Sequence, residues 1–351
     1  MLHQSLYHTY KRFKTLQSHV ITALPIVILM PHSACNCRCI MCDIWKDNKN
    51  RKQLYEADVE GLLANLQKWG TKQVLMSGGE ALLNQHFFTL CQLLKKLKLK
   101  ITLLSTGLTL KQHATEIVRR VDDVIVSLDG TEELHNRIRN ISGAFARLRE
   151  GIQALKSIMP HYRVTARTVI HRHNFRQWSS IIDTAKQLGV DQISFLPADV
   201  SSHAFNRQVL WSTERQEDVL IARDDLPLLE DIIDSLLHNY AFDFQNRFIA
   251  ESPDKLKKIA LYYGAVYGLN EFPYKKCNAP WVSAVIEADG TVRPCFFHKA
   301  YGNIHEQSLG AVLNSKQAVA FRQNLDTDAD KTCKSCVCSL NLSPLSNPAH
   351  S

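Results

Sequence analysis

Nine of the ten cysteines in this 351-residue chain fall into two groups, and that grouping constrains the fold more than any other feature. Cys35, Cys37, Cys39 and Cys42 form one group, Cys277, Cys295, Cys333, Cys336 and Cys338 the other, and Cys91 stands alone. A disulfide framework suits secreted chains below about 100 residues that carry a signal peptide. Here the first residues are polar and helix-like. The apolar run from Val20 to Met30 is interrupted by Pro25 and is too short for a bilayer, which needs about 20 residues. With 45% hydrophobic and 22% charged residues the chain has an ordinary globular composition, and its formal charge of +8 is a modest excess at this length. The expectation is a reduced, cytoplasmic protein without a membrane segment, whose thiols bind metal.

Between residues 20 and 200, short runs rich in β-branched residues alternate with stretches of helical period. Strands are expected at Ile21–Met30, Gln73–Ser77, Lys100–Ser105, Asp123–Asp129, Arg163–Ile170 and Gln192–Leu196. Helices are expected at Tyr55–Trp69, Asn84–Leu97, Leu110–Val121, Glu132–Ile158 and Phe175–Leu188, with Asn84 capping the second. Six strands joined by five crossovers imply parallel pairing, and the chemistry of such a sheet gathers at the C-terminal strand ends. Counting elements does not separate a doubly wound sheet from a partial barrel. Residues 201–270 read as a mostly helical connector. After residue 277 a hairpin turning at Asp289-Gly290 and a helix over Ser308–Leu325 read as a second, smaller unit. The "HRHN" segment at 171–174 reads as a solvated turn, the lysines of "LLKKLKLKI" as a solvated helix face, and Cys91 as a buried hydrophobe.

The pattern C-x3-C-x2-C at Cys35, Cys39 and Cys42 follows the first strand, so one loop can fold three thiolates around one centre. Zinc is the bland alternative, with Cys37 as a fourth ligand, but C-x-C-x-C crowding suits iron–sulfur ligation better. Gly78, Gly79 and Glu80 follow the second strand at the same edge. Paired glycines admit a ligand close to the backbone, and a carboxylate there can accept from an ammonium group. Ser105 and Thr106 end the third strand, and Ser127 and Asp129 end the fourth. All four can be read as polar contacts or as ordinary caps and turns. Arg167 puts a charge inside the fifth strand, which calls for a partner or for solvent. In the second group, Cys277 and Cys295 fit C-x12-G-x4-C around Gly290, and Cys333 and Cys336 add C-x2-C. A zinc hairpin is the alternative there.

The cysteine loop and the GGE turn together resemble those of the radical S-adenosylmethionine (radical SAM) superfamily, except that Met41 stands where the family usually has an aromatic residue. The second group resembles the SPASM and twitch auxiliary-cluster domains, and with four well-placed thiols it matches the shorter twitch form. The resemblance implies an α/β fold: a partial (β/α)6 TIM-like barrel followed by a small α+β twitch-like iron–sulfur domain. It divides the chain into an N-terminal helical extension (1–19), a radical SAM core (20–200), a helical connector (201–270) and an auxiliary-cluster domain (271–351). It implies a SAM-binding 4Fe-4S cluster on Cys35, Cys39 and Cys42, with one iron open to the methionine moiety. It implies an auxiliary 4Fe-4S cluster on Cys277, Cys295, Cys333 and Cys336, with Cys338 the competing candidate for the last position. By the same likeness, Gly78, Gly79, Glu80, Ser105, Thr106, Ser127 and Asp129 contact SAM; Arg167, as a charge inside a strand, is expected to hold the methionine carboxylate bidentately.

The activity so implied is reductive cleavage of SAM to a 5′-deoxyadenosyl radical that abstracts a hydrogen atom from substrate. The net reaction is expected to be an oxidation or rearrangement of a small molecule, with electron transfer through the auxiliary cluster. An electron donor such as flavodoxin or ferredoxin is implied as partner, and no nucleic acid. A peptide-modifying maturase is the alternative within the enzyme class. A metal-stabilised RNA-binding protein without catalysis is the alternative outside it. No catalytic acid or base is identifiable.

Overall fold

The computed structural model describes residues 2–204, 207 and 209–346. After a helix α1 (Leu2–Ser18), six strands follow: β1 (Ile26–His32), β2 (Gln73–Gly78), β3 (Lys100–Ser105), β4 (Asp123–Ser127), β5 (Arg163–Ile170) and β6 (Gln192–Pro197). The crossovers carry α2 (Glu56–Trp69), α3 (Phe87–Lys95), α4 (Leu110–Arg120), α5 (Glu132–Arg139), α6 (Ala144–Ile158) and α7 (Trp178–Gln187). All six strands pair in parallel and in sequential order. A doubly wound sheet reverses its strand order at a switch point; sequential order with crossovers of one hand instead keeps the helices on one face and curls the sheet. This is the expected partial barrel, and one large apolar core spans it, with Val27, Val74, Ile101, Val124, Val164 and Ile193 buried in turn along the strands.

The first strand begins at Ile26, five residues later than expected. The carbonyl of Pro25 accepts from Lys72 and Gln73, fixing the strand's start. The expected helix over Glu132–Ile158 is two helices, because Asn140 (φ 51°) closes α5 in the left-handed region and Gly143 (φ 69°) precedes α6. The expected helix over Ser308–Leu325 likewise divides into Leu309–Leu313 and Lys316–Asn324. His86, not Asn84, is the N-cap of α3, although Asn84 Oδ1 accepts from the His86 amide (2.7 Å). The Asn84 side chain donates to the carbonyls of Pro31 (2.7 Å) and Leu54 (2.8 Å) and ties the β1 loop to the β2 loop. The "HRHN" turn is solvated only in its middle: Arg172 and His173 are exposed, whereas His171 is 0% exposed and the buried Asn174 donates to the carbonyls of Asp129 and Val169.

The hairpin formed by β7 (Ser283–Ile286) and β8 (Thr291–Arg293) turns at the expected Asp289-Gly290, and β9 (Gly302–Asn303) follows. Strand β7 pairs in parallel with β1, Ile26 opposite Ser283 and Leu29 opposite Ile286. The C-terminal unit thereby extends the barrel sheet to nine strands. A second apolar cluster, with Ile26, Ile28, Trp281 and Val285, seals the junction. Among the described residues no helix is long and apolar enough to cross a membrane.

Candidate functional site

The C-terminal ends of β1 to β6 surround a cavity of about 260 Å³. Cys35, Cys39, Met41 and Cys42 form one wall; Gly78 and Gly79, Ser105 and Thr106, Ser127, and Arg167 line it from β2, β3, β4 and β5. The loop after β1 is held from several sides. The Asn48 side chain accepts from the Cys35 amide (3.0 Å) and donates to its carbonyl (2.8 Å). Arg38 and Ile40 donate backbone hydrogen bonds to the carbonyls of Arg139 and Ile138 at the end of α5. Gly79 is required by close approach, since a Cβ there would lie 2.2 Å from the Ala34 carbonyl oxygen, next to Cys35.

The thiols are not equivalent. Cys37 is fully buried, lies off the cavity wall, and is pushed far up by hydrogen bonding to Cys35 and Cys39 and by burial. Cys39 is drawn down to about 7 by the hydrogen bond with Cys37 and by the Arg139 guanidinium, whose Nη1 donates to its sulfur at 3.4 Å. Burial pushes Cys42 up to about 12. A thiol so placed gives up its proton to a compensating cation, and three soft donors on one wall suit a thiophilic metal centre.

The carboxylate of Glu80 and that of Asp129 do not face the cavity. Glu80 is 0% exposed and accepts from the Thr106 amide and hydroxyl (both 2.7 Å), the Ser105 hydroxyl (3.1 Å) and the Leu82 amide (3.2 Å). Burial nevertheless raises its pKa. These bonds tie the β2 turn to the end of β3. Asp129, also 0% exposed, lies 2.6 Å from Arg139 Nε, so the ion pair Asp129–Arg139 stands behind the Cys39 sulfur. Arg167 sits between Ser127 and Ser194 in register and donates from Nε to Ser194 Oγ at 3.1 Å, with the side chain on the cavity wall.

Sequence patterns do not announce Arg139, Asp199 or Arg207. Arg207 Nη1 pairs with Asp199 Oδ2 at 2.6 Å, both side chains almost wholly buried, and both residues line the cavity. A charged residue on the buried stripe of α5, beside Leu134 and Ile138, is the one signal that could have pointed to Arg139.

Cys277, Cys295, Cys333, Cys336 and Cys338 line a second cavity of about 160 Å³ in the C-terminal unit. Cys338 alone of the five also lines the first cavity. Cys336 and Cys338 touch, the Cys338 amide donating to Cys336 Sγ at 3.3 Å. Burial raises Cys295 to about 11 and Cys333 to about 12. The Lys275 ammonium donates to the carbonyls of Lys334 and Cys336 beside them. Cys91 is buried in α3, far up at about 12 through burial, as a structural thiol would be.

Comparison with known proteins agrees with this arrangement. Residues 29–196 match the radical SAM superfamily, and residues 277–337 match SPASM, an iron–sulfur cluster-binding domain. Fe-coproporphyrin III synthase of Methanosarcina barkeri is 24% identical over 189 residues, 52% of this chain and 47% of that protein. PqqA peptide cyclase of Ruegeria pomeroyi is 27% identical over 282 residues, 76% of this chain and 67% of that one. The chain thus spans about half the length of the first relative and two thirds of the second. The crystal structure of Streptococcus suis SuiB bound to precursor peptide SuiA shares the fold, with TM-score 0.65 and 16% identity over 93% of this chain and 74% of that one. The chain belongs to the radical SAM superfamily, with a SPASM iron–sulfur domain built onto the edge of its barrel.

Proposed function

We propose that this protein is a radical SAM enzyme in which Cys35, Cys39 and Cys42 hold a 4Fe-4S cluster and the strand ends around them hold SAM. The observation that carries the reading is the sorting of the thiols: the three of C-x3-C-x2-C line one cavity with the Gly78-Gly79 turn, and Cys37 is turned away. Three protein ligands leave one iron free for the methionine group. Cluster and SAM, when bound, supply reductive cleavage of the C5′–S bond and a radical for hydrogen-atom abstraction.

The chain's own residues bind, orient and exclude water. The backbone of Gly78 and Gly79 admits the methionine moiety close to the cluster wall. Arg167, inside β5, and Ser127, opposite it at the end of β4, suit its carboxylate. Ser105 and Thr106, on the cavity wall, are fixed in place by their bonds to Glu80, so Glu80 serves by positioning rather than by contact. Asp129 acts through Arg139 in the same way, fixing the guanidinium that hydrogen-bonds the Cys39 sulfur.

Cys277, Cys295, Cys333 and Cys336 hold the auxiliary 4Fe-4S cluster in this reading, with the unit 271–351 as its domain and 20–200 as the SAM-binding core. The substrate is an organic molecule oxidised or rearranged at a C–H bond, and an electron donor of the flavodoxin or ferredoxin type starts the reaction. A peptide substrate is favoured by the names of two relatives, a peptide cyclase and an enzyme crystallised with its precursor peptide. A small molecule is favoured by the third, whose product is a porphyrin.

Anaerobic reconstitution followed by iron and sulfide counting tests the assignment. Two clusters give about eight irons per chain, and reduction with dithionite gives 5′-deoxyadenosine and methionine from SAM. Zinc at both sites, or iron without SAM cleavage, overturns the proposal.

A further inference from the structure

His298 belongs to none of the motifs, yet it touches both halves of the second thiol set. It follows Cys295 by three residues, and its ring is 10% exposed. Its backbone amide, with that of Phe297, donates to the Cys295 thiol, and Arg293 Nη1 donates to its carbonyl at 3.2 Å. The ring packs edge-on against Phe321, centroids 5.0 Å apart, which sets its direction. Nε2 then lies 3.3 Å from Cys333 Sγ and 3.8 Å from Asp330 Oδ1, and Asp330 Oδ1 accepts from the Cys333 amide at 2.9 Å. A ligating thiolate has no proton to give, so Nε2 carries the hydrogen of this bond. Hydrogen bonds to cluster sulfurs withdraw charge from them and favour the reduced, more negative state.

We propose that His298 is a positioning residue that holds the reduction potential of the auxiliary cluster up, by donating Nε2–H to Cys333 Sγ. The inference rests on the auxiliary-cluster reading above. It also gives Asp330 a role, steadying the Cys333 loop from the same side.

The test uses the full chain with Cys35, Cys39 and Cys42 replaced by Ala, so that the auxiliary cluster alone is observed, about four irons per chain. Potentiometric titration followed by electron paramagnetic resonance compares this parent with His298→Phe and His298→Gln in the same background. His298→Phe makes reduction about tenfold harder, a midpoint about 59 mV more negative for one electron, at unchanged iron. His298→Gln, whose amide still donates, stays near the parent. Equal midpoints for parent and His298→Phe overturn the role of His298 and leave the cluster assignment standing. Iron lost from both variants makes His298 a ligand or a structural residue and overturns it as well. A parent that binds no iron overturns the auxiliary-cluster reading and this inference together.

Discussion

Gly79→Ala tests whether the cysteine loop and the glycine turn form one unit. The added Cβ would lie 2.2 Å from the Ala34 carbonyl oxygen, 2.5 Å from its carbon and 2.8 Å from the Ser33 oxygen. All three are backbone atoms, which cannot swing aside as a side chain can. Restoring ordinary contact near 3.4 Å moves the residue before Cys35 by roughly 1 Å and breaks the hydrogen bond from the Glu80 amide to Ala34 (2.9 Å). Overpacking of this kind costs about 1–3 kcal/mol of stability. A displacement of about 1 Å in a reacting group costs about 100-fold in rate, or about 2.7 kcal/mol. The assay is 5′-deoxyadenosine formed per iron after dithionite reduction. Gly61→Ala is the control: a Cβ at Gly61, in the middle of α2, meets nothing within 4 Å. That variant should keep full activity and gain about 1 kcal/mol from the lost helix penalty of glycine. If Gly79→Ala retains half or more of the wild-type rate at full iron content, the coupling of turn and loop is refuted.

Arg139→Met leaves the Asp129 carboxylate buried beside a sulfur without its counter-ion. It should destabilise the fold by about 3–5 kcal/mol, read as a lowered urea midpoint; an unchanged midpoint contradicts the ion pair's role. Cys277→Ala should reduce iron from about eight to about four per chain while Cys37→Ala leaves it near eight, and equal losses in both would reassign the ligands. His171 is held neutral in the fold by burial, its pKa pushed down to about 3 from 6.5. Its contribution is therefore intact above pH 6.5 and is lost as pH falls from there toward 3, by about 1.4 kcal/mol per unit. The stability difference between wild type and His171→Asn should shrink at that rate between pH 6 and 5, and a constant difference would show that His171 is protonated in the folded chain.

The strands from β2 to β6 were legible because each is a short β-branched run between helical stretches. So were the cysteine loop and the GGE turn, whose spacing is local. The break between α5 and α6 was written in Asn140 and Gly143, both familiar helix terminators, but the apolar period on either side concealed it. What sequence could not carry is contact over distance. Glu80 and Asp129 were expected at the ligand because their strand-end motifs resemble those of the radical SAM family. Their partners, Thr106 and Arg139, turn both carboxylates into the fold. Arg207 and Asp199 find each other across a loop, and β7 finds β1 across some 250 residues of chain, with no local pattern to mark either pairing. The burial of His171 is likewise a product of tertiary packing, which polarity alone misreads.

Because β7 lies directly against β1, cutting the chain ahead of Ser283 would not release an independent barrel. It would strip the ladder from Ile26 to Leu29 and leave an apolar rim of unsatisfied amides and carbonyls, the kind of surface that recruits other chains. The same seam spaces the loops bearing the two thiol groups by neighbouring strands of one sheet rather than by a tether, so their separation is as rigid as the sheet itself.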